Sequence, residues 1–435
     1  MAGSAPLSEN TGLISSSWMP RSAARLRFQL PGGILLAVLL PALLRSQAHL
    51  TLSQSTLIEG GAAAAAAIVL GGLLARRMGD FPGVQSGVHI PIVITGTYSL
   101  AALALLLLRL EYSRSFLVAS YLIALGWFVV LHILSKRFAR PLIAIVPGGH
   151  ASTLTRLDGV AWRHLARPPD AGERLPFSAI TADLRCALPQ EWERFLVDAT
   201  LAGTPVYHSK ALSESLTGKV EIEHLYENSI GAVVPNMAYL KLKFLLDWLL
   251  AFLLLPVFLL VGLGVGALIF LESGRPIFYR QERMGFRGRV FKVYKFRTMR
   301  TDTAAGGDAR EAAITRSGDA RITALGGVLR RYRIDELPQL LNILKGEMSW
   351  IGPRPEAIAL SRWYEAELPY YHYRHAVRPG ISGWAQVNQG HVELPSDVHT
   401  KLHYDFFYIK YLSPWLDMLI VFRTLHTILF GFGVK

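Results

Sequence analysis

The sequence is short of cysteine and of charge. Its 435 residues include a single cysteine, Cys186, which excludes an intrachain disulfide and any zinc site built from cysteines. Only 18% of the residues are charged, whereas 51% are hydrophobic. An ordinary soluble protein of this length has a larger charged share and a smaller apolar one. The composition therefore favours a membrane protein.

The apolar residues are gathered into long uncharged runs. A helix needs about 17 to 25 apolar residues to span a bilayer. Four runs near that length lie at 28–44, 57–74, 90–108 and 115–134. We therefore predict four transmembrane helices over 28–134, preceded by a cytoplasmic tail at 1–27. The first run has an alternative reading as a signal peptide, which its long leader and Arg45 disfavour.

Positive charge orients these predicted helices, because cytoplasmic flanks carry an excess of Lys and Arg. The basic flanks are Arg21, Arg25 and Arg27 before the first helix, Arg76 and Arg77 after the second, and Lys136, Arg137 and Arg140 after the fourth. Both ends of the bundle are therefore expected in the cytoplasm. The formal net charge of +13 fits an anionic membrane surface and phosphate-bearing ligands, but it fits nucleic acid equally well.

A segment of soluble character follows at 141–236. Residues 141–149 are typical of a buried strand that ends in glycines, 191–203 of a helix and 204–208 of another strand. We predict a small cytoplasmic α/β module. Its glycine pair suggests a nucleotide-binding turn only weakly, because no GxGxxG pattern follows.

A further apolar run, 244–271, is long enough to span the membrane. Both of its flanks are basic, which assigns both ends to the cytoplasm. Pro256 offers a resolution, because a proline inside a helix removes a hydrogen bond and bends the helix. We predict a re-entrant hairpin that bends at Pro256; a kinked spanning helix is the alternative. Near the C-terminus, 416–430 fits a helix lying in the membrane interface or one packed in a core.

The chemistry-bearing stretch is RYRIDELPQLLNILKGEMSWIGPRPE. It fits a helix with Asp335 as N-cap, Pro338 in the first turn and Gly346 as its end. At an N-cap, Asp335 and Glu336 are able to converge on one ion or substrate. The alternative is that both carboxylates only complement the helix end.

Basic residues surround this pair in sequence. Arginine suits bidentate phosphate binding, and more arginines than acids stand here, so the excess positive charge indicates a phosphate ligand. Simple ion pairs are the alternative for the cluster around the acidic pair, and a solvated basic strand or a lipid-facing charge belt is the alternative for the other two clusters. The basic residues are Arg330, Arg331, Arg333 and Arg354 around the pair, Lys295 and Arg297 in KFRTM, and Arg378 in RPGISGWAQVN.

Four blocks of this region together resemble one family. They are YRQERMGFRGRVFKVYKFRTM, then DARITALGGVLRRYRIDELPQLLNILKGEMSWIGPRPE, then RPGISGWAQVN and finally KLHYDFFYIKYLSP. In this order they are similar to the bacterial sugar transferases, the monotopic polyprenyl-phosphate phosphoglycosyl transferases. The resemblance covers 241–435, and the preceding helices and α/β module resemble the long members of that family.

The resemblance implies a fold and a reaction. The fold would be a membrane protein of α plus α/β class, with four N-terminal helices, a Rossmann-like module at 141–236, a re-entrant hairpin and a mostly α-helical cytoplasmic catalytic domain. The reaction would transfer a sugar 1-phosphate from a UDP-sugar to undecaprenyl phosphate at the bacterial inner membrane, release UMP and begin an exopolysaccharide or O-antigen unit. Nucleic acid would not be a partner, and a homodimer is expected only from the long relatives.

The resemblance also implies roles for residues. Asp335 would be the nucleophile that forms a phosphosugar intermediate, and Glu336 would assist it or hold Mg²⁺ with it. Lys295, Arg297, Arg354 and Arg378 would bind the phosphates of the nucleotide sugar. The chain departs from the family in having Leu255, where many members have Ser, before the proline of the bend.

Two other classes of function share these residues. One is a membrane-bound hydrolase, in which Asp335 and Glu336 hold a metal that activates water. The other is a non-catalytic receptor or scaffold that binds anionic lipid through its basic face. The sequence alone does not identify the sugar.

Overall fold

The structure is a computed structural model that describes residues 26–47, 54–79, 89–138, 142–157, 160–170, 175–222, 235–300, 321–389 and 395–430. The predicted tail at 1–27 therefore lies outside the described residues, except for its last two. The chain divides into two compact units between Lys210 and Ala211.

The first unit begins with four helices. Helix α1 is continuous through Leu26–Ile34, a π-helical turn at Leu35–Leu39, and Leu40–Gln47; α2 is Gln54–Gly79, α3 is His89–Leu107 and α4 is Arg114–Phe138. Small residues on α2 allow close packing, as is common between helices in membranes. A Cβ added at Gly71 would lie 2.8 Å from Ile94 Cδ1, and one at Gly72 would lie 2.6 Å from Leu30 Cδ2.

Four described helices are long and apolar enough to cross a membrane, but they are not the four predicted at 28–134. Three of them are Ser55–Arg76, Ile90–Leu107 and Arg114–Leu134 within α2, α3 and α4. The fourth is α7, Met237–Ser273, in the second unit. The apolar part of α1, Phe28–Leu43, is shorter than a spanning segment of this kind.

The α/β module has the predicted strand, helix and strand. Its sheet has the order β2-β1-β3-β4, with parallel pairing throughout. The strands are β1 Leu142–Ile145, β2 Ala161–His164, β3 Ala179–Ala182 and β4 Val206–His208, and α5 is Gln190–Leu201. Trp192, Phe195 and Leu196 of α5 pack on the central strands.

The glycine turn after β1 is occupied by the module's own carboxylate. The backbone N–H of His150 donates to Asp183 Oδ2 over 3.0 Å, and a Cβ at Gly149 would lie 2.3 Å from that oxygen. Asp183 therefore stands close to where a phosphate bound by this turn would lie, which disfavours the nucleotide-binding reading of the glycine pair.

Helix α7 dominates the second unit, which also contains α6, Ser209–Thr217, from Ala211 onward. Asn236 caps α7 by accepting a hydrogen bond from the N–H of Tyr239. The helix is continuous through Pro256, so the two separate helices of a hairpin are not seen.

Both halves of α7 pack on the rest of the second unit. In the first half, Ala251 joins a cluster with Val293 and Ile343. In the second half, Val265 and Ile269 pack against Phe296 and Leu329. The same part of the second unit therefore contacts both halves of the helix. If α7 spanned the bilayer, part of this polar region would lie in the hydrocarbon layer.

The other elements of the second unit are short. They are β5 Phe278–Met284, β6 Val290–Phe296, α8 Ala324–Arg331, a 3₁₀ turn Ile334–Gln339, α9 Leu340–Leu344, β7 Ser349–Ile351, α10 Ile358–Glu367, a 3₁₀ turn Tyr371–Ala376, β8 Gly380–Ser382, α11 Trp384–Gln389, α12 Pro395–Lys410 and α13 Pro414–Phe430. Helix α13 buries Leu416, Leu419 and Ile420 while Val421 and Leu425 stay exposed, so it has both a packed and an open face.

Strands β7 and β8 bring two glycine-containing loops into contact. They pair in parallel, and the N–H of Gly352 donates to Ser382 O over 2.8 Å. A Cβ at Gly380 would lie 2.1 Å from Gly352 N, and one at Gly352 would lie 2.3 Å from Arg378 O. No side chain larger than hydrogen fits at either glycine without backbone movement.

Candidate active site

A two-stranded hairpin delivers the first basic residue of the site. Strands β5 and β6 pair antiparallel, with Tyr279 opposite Lys295. Phe291 and Val293 are buried on one face of β6, and Lys295 follows on the same face because side chains alternate along a strand. The hydrophobic face of the hairpin thus ends in an ammonium group directed toward the second unit's interior.

The acidic pair lies in the 3₁₀ turn Ile334–Gln339, and the prediction that Asp335 is an N-cap is wrong. Arg333 occupies the cap position with φ of 55°, and the α-helix begins only at Leu340. Pro338 has no N–H for the α-helical hydrogen bond to Ile334, which favours the tighter turn. Gly346 follows the helix with φ of 74°, as expected for a helix end.

Glu336 is held by three basic side chains. Its Oε1 accepts hydrogen bonds from Lys295 Nζ at 2.9 Å and from Arg354 Nη2 at 2.7 Å. Arg333 Nη1 lies 3.8 Å from Oε2 of the same carboxylate. The structure thus brings together Glu336, Lys295 and Arg354, three residues that the sequence predicts for the site.

The charges around Glu336 fix its ionisation. Burial alone would raise the pKa of this carboxyl, but Arg354, Lys295 and Arg333 outweigh burial and hold that pKa well below its usual range. Glu336 is therefore a carboxylate at neutral pH and a weak base.

Asp335 lies in the same charged cluster but is held differently. Its side chain is 8% exposed, and among the described residues its carboxylate accepts no hydrogen bond. Burial raises the pKa of Asp335; Lys295 and Arg354 act against that rise, and the negative charge of Glu336 adds to it. A carboxylate without a fixed hydrogen-bond partner keeps its lone pairs available for reaction.

Two predicted phosphate ligands lie away from this cluster. Arg297 donates to the carbonyl oxygens of Arg275 and Gly274 and to Ser273 Oγ, so it caps the end of α7. Arg378 donates from Nε to Gly346 O, and its guanidinium lies 4.2 Å from the ring centre of Phe244. Within the described part of the chain, neither of these arginines contacts Asp335 or Glu336.

Behind Arg354 lies a buried ion pair that is not among the residues predicted from the sequence. Arg374 Nη2 donates to the Arg354 carbonyl oxygen at 2.9 Å and to Asp405 Oδ2 at 2.8 Å. Arg374 is 3% exposed and Asp405 is 1% exposed. A sequence signal exists, since each charge stands in an aromatic run, YYHYRHAV and YDFFYIKY. Charges in such runs are rarely buried unless they are paired.

The protein's own atoms supply only some of the ligands that a Mg²⁺ ion would need in this site. Glu336 Oε2 is buried and accepts no hydrogen bond from the described residues, and its nearest cation is Arg333 Nη1 at 3.8 Å, so it would be the oxygen to serve as a ligand beside Asp335. No group of three or more His, Cys, Asp or Glu side chains suited to a metal occurs in the described residues. A Mg²⁺ ion bound by one or two carboxylates takes its remaining ligands from phosphate and water. The residues therefore fit a metal that binds together with a diphosphate.

The whole chain has a close relative in Aeromonas hydrophila. It is 42% identical over 409 residues to a UDP-N-acetylgalactosamine-undecaprenyl-phosphate N-acetylgalactosaminephosphotransferase, covering 93% of this chain and 94% of the relative. A UDP-glucose:undecaprenyl-phosphate glucose-1-phosphate transferase of Xanthomonas campestris pv. campestris is 40% identical over 200 residues, which cover 45% of this chain and 40% of that protein.

Another relative matches a smaller share of this chain. An exopolysaccharide production protein PSS of Rhizobium leguminosarum bv. phaseoli is 43% identical over 179 residues, covering 40% of this chain and 86% of that protein. The sequence model of the bacterial sugar transferases matches residues 238–431. These matches agree with the resemblance carried by the sequence motifs. The chain belongs to the bacterial sugar transferase family.

Proposed function

We propose that this enzyme transfers a sugar 1-phosphate from a UDP-sugar to undecaprenyl phosphate, with release of UMP. The observation that carries the proposal is the buried carboxylate of Asp335, which has no hydrogen-bond partner in the described chain and lies beside a Glu336 held by Lys295 and Arg354. The Aeromonas relative, named for transfer to undecaprenyl phosphate, supports the acceptor.

The first step would make and break one bond at the sugar-bearing phosphorus. An oxygen of Asp335 attacks that phosphorus, the bond to the oxygen bridging the two phosphates breaks, and UMP leaves with the bridging oxygen. Lys295 and Arg354 supply positive charge near the transferring group, which stabilises the charge that develops there. Mg²⁺, when bound with the substrate, would neutralise the diphosphate and favour departure of UMP.

The second step would regenerate the carboxylate. A phosphate oxygen of undecaprenyl phosphate attacks the same phosphorus, the bond to Asp335 breaks, and the product is an undecaprenyl diphosphate sugar. This attacking oxygen carries no proton that must be removed, so the step needs no strong base. Glu336, with its pKa held low, fits this requirement as a group that orients Lys295 and Arg354.

The acceptor is a lipid phosphate, so the site must face the membrane. We propose that α7 enters the bilayer and returns to the cytoplasmic face, bending at Pro256 in the membrane. The packing of both halves of α7 on one catalytic unit and the basic residues at both flanks support this topology. The catalytic unit would then rest on the cytoplasmic face of the bacterial inner membrane.

The donor is proposed to be UDP-N-acetylgalactosamine, because the relative that matches 93% of the chain is named for that sugar. UDP-glucose is the second candidate, from relatives that match 45% and 46% of the chain and are named for glucose. Assembly of an exopolysaccharide or O-antigen unit would follow from the lipid-linked product.

The test is UMP release by purified enzyme in detergent, with a panel of UDP-sugars, with and without undecaprenyl phosphate. We expect sustained release that needs the lipid, Mg²⁺ and Asp335, and none from Asp335→Asn. Turnover to free sugar phosphate without lipid would instead establish the hydrolase. Full lipid-dependent transfer by Asp335→Asn would refute the nucleophile.

A further inference from the structure

One side chain pairs with the open edge of β6. Within the described structure, β6 belongs to a two-stranded sheet and has β5 on one edge only. Asn342 of α9 is fully buried at the other edge. Its Nδ2 donates to Lys292 O over 2.7 Å, and its Oδ1 accepts from the N–H of Tyr294 over 3.2 Å.

These two bonds have the pattern of a neighbouring parallel strand. In a parallel pair of strands, a residue on one strand faces a residue on the other. Its N–H donates to the carbonyl oxygen of the residue that precedes the facing one, and its carbonyl oxygen accepts from the N–H of the residue that follows it. The side-chain amide of Asn342 makes both bonds around Val293, so it takes the place of one strand residue. It also protects an edge that would otherwise leave buried polar groups unpaired.

The remaining polar atoms of Asn342 tie the strand to the next loop. Its Nδ2 also donates to Glu347 Oε2 over 2.7 Å, and its backbone oxygen accepts from the N–H groups of Glu347 and Met348. An amide is the one side-chain group of this size with two donors and an acceptor. Aspartate keeps the shape but loses the donors, and leucine loses every side-chain bond.

The position of β6 matters because Lys295 lies two residues after Val293. Val293 packs with Leu340 and Ile343 of α9, and Lys295 on the same face meets Glu336, four residues before Leu340. A shift of β6 by one residue would turn both side chains to the opposite face. The bonds around Val293 oppose such a shift.

We propose that Asn342 is a positioning residue that holds Lys295 against Glu336 by fixing the edge of β6. It acts through Lys295 and touches neither substrate nor reacting atoms. The proposal rests on the proposed function for its catalytic consequence, whereas the placement of Lys295 itself is testable without catalysis.

The placement is measured by amine acylation of the full-length enzyme in detergent, followed by mass spectrometry of the peptide that carries Lys295. In the wild type the ion-paired ammonium of Lys295, whose side chain is only 17% exposed, reacts slowly. We expect Asn342→Leu to raise the rate of labelling at Lys295 by about tenfold or more, because the local opening becomes easier. Ile343→Val, a change in the same hydrophobic cluster that keeps the amide, should leave the rate unchanged.

A second variant removes less of the network. Asn342→Asp combined with Glu347→Gln keeps the bond between positions 342 and 347 but loses the donor to Lys292 O. This double variant should also raise the rate of labelling at Lys295. The test therefore remains decisive even if Asn342→Leu does not fold. Unchanged labelling of Lys295 in a folded variant overturns the proposal, whether or not the enzyme transfers sugar.

Kinetics then separates positioning from general stability. We expect Asn342→Leu to lower kcat by about 10- to 100-fold, the range for a misplaced catalytic group. In the background of Lys295→Met, the same change should add little further loss, because its route of action is already gone. Equal losses in both backgrounds would overturn the proposed route through Lys295. An inactive wild type would refute the proposed function and leave the labelling result to decide on Asn342.

Discussion

Arg354 and the buried Glu336 form an ion pair, in which Arg354 Nη2 donates to Glu336 Oε1 over 2.7 Å. The pair joins the GPRPE loop to the turn that carries both carboxylates. Each partner fixes the other, so the arginine that we propose as a phosphate ligand is oriented before the substrate arrives. Such preorganisation is the main source of electrostatic stabilisation in phosphoryl transfer.

Replacing Arg354 should therefore change both the rate and its pH dependence. We expect Arg354→Met to lower kcat/KM by about 100-fold or more, because the substitution removes the positive charge proposed to stabilise the transferring phosphoryl group. The loss of Arg354 also raises the pKa of Glu336, so activity should fall at a higher pH on the acid side than in the wild type. Rates of UMP release between about pH 4 and 8 measure both effects.

Arg362→Met is the matched control for this change, because Arg362 is exposed on α10. It should leave the pH profile unchanged. A profile that is the same in wild type and Arg354→Met would contradict the ion pair's role in setting the charge of Glu336.

The stability of the catalytic unit should fall in acid through Glu356. Burial alone would raise the pKa of this carboxyl, but Lys401, Arg374 and Arg283 outweigh burial and lower that pKa from 4.5 to about 2. A lowered pKa contributes stability above pH 4.5 that is lost as the pH falls toward about 2. By about pH 3 the loss should be of the order of 2 kcal/mol.

Thermal unfolding in detergent at a series of pH values measures this loss. Glu356→Gln should be less stable at neutral pH but lose less further stability in acid than the wild type. Glu367→Gln, at an exposed position, serves as the control and should follow the wild-type slope. Equal slopes for wild type and Glu356→Gln would rule out this group as a source of acid sensitivity.

Removing only one partner of the buried Arg374–Asp405 pair should greatly lower the free energy of unfolding. Arg374→Met leaves Asp405 charged and unpaired, and we expect the free energy of unfolding to fall by about 3 to 5 kcal/mol. The double change Arg374→Met with Asp405→Leu removes both charges and should regain most of that loss. Thermal unfolding of the wild type and these two variants tests this, and a double variant no more stable than the single one would contradict it.

The re-entrant topology predicts that both ends of α7 lie on one side of the membrane. In a Cys186→Ser background, single cysteines at Met237 and Arg275 should resist a membrane-impermeant maleimide in intact spheroplasts and react after permeabilisation. Leu110→Cys, in a loop predicted to be outside, should react in intact spheroplasts. Labelling of only one end of α7 in intact cells would show that the helix spans the membrane.

The sequence predicted the family better than it predicted the local geometry. The motifs identify Lys295, Glu336 and Arg354, and the structure places these three side chains in contact. Asp335 was wrongly predicted as an N-cap because a helix pattern does not distinguish an α-helical first turn from a 3₁₀ turn. Arg297 shows the same limit, since nothing in KFRTM reveals that a distant helix end accepts its hydrogen bonds.

Long-range pairing explains what the sequence could not reveal. The Arg374–Asp405 pair joins residues 31 positions apart, and Asn342 meets Lys292 across 50 positions. The sequence indicates that such charged and amide side chains need partners, but it does not identify the partner residues. The sites for the nucleotide sugar and Mg²⁺ remain predictions, because they depend on atoms that are not part of the chain.

The contact between Gly352 and Gly380 also affects how mutational data on this enzyme should be interpreted. Any substitution at either glycine drives two backbones apart and displaces the loop that carries Arg354. A scan of all single substitutions, scored by polysaccharide production, would rank these glycines as intolerant as Asp335. Intolerance alone would then nominate them as reactive positions, although they have no side chain with which to react. Only a parallel score for folded protein in the membrane would separate the two kinds of essential residue.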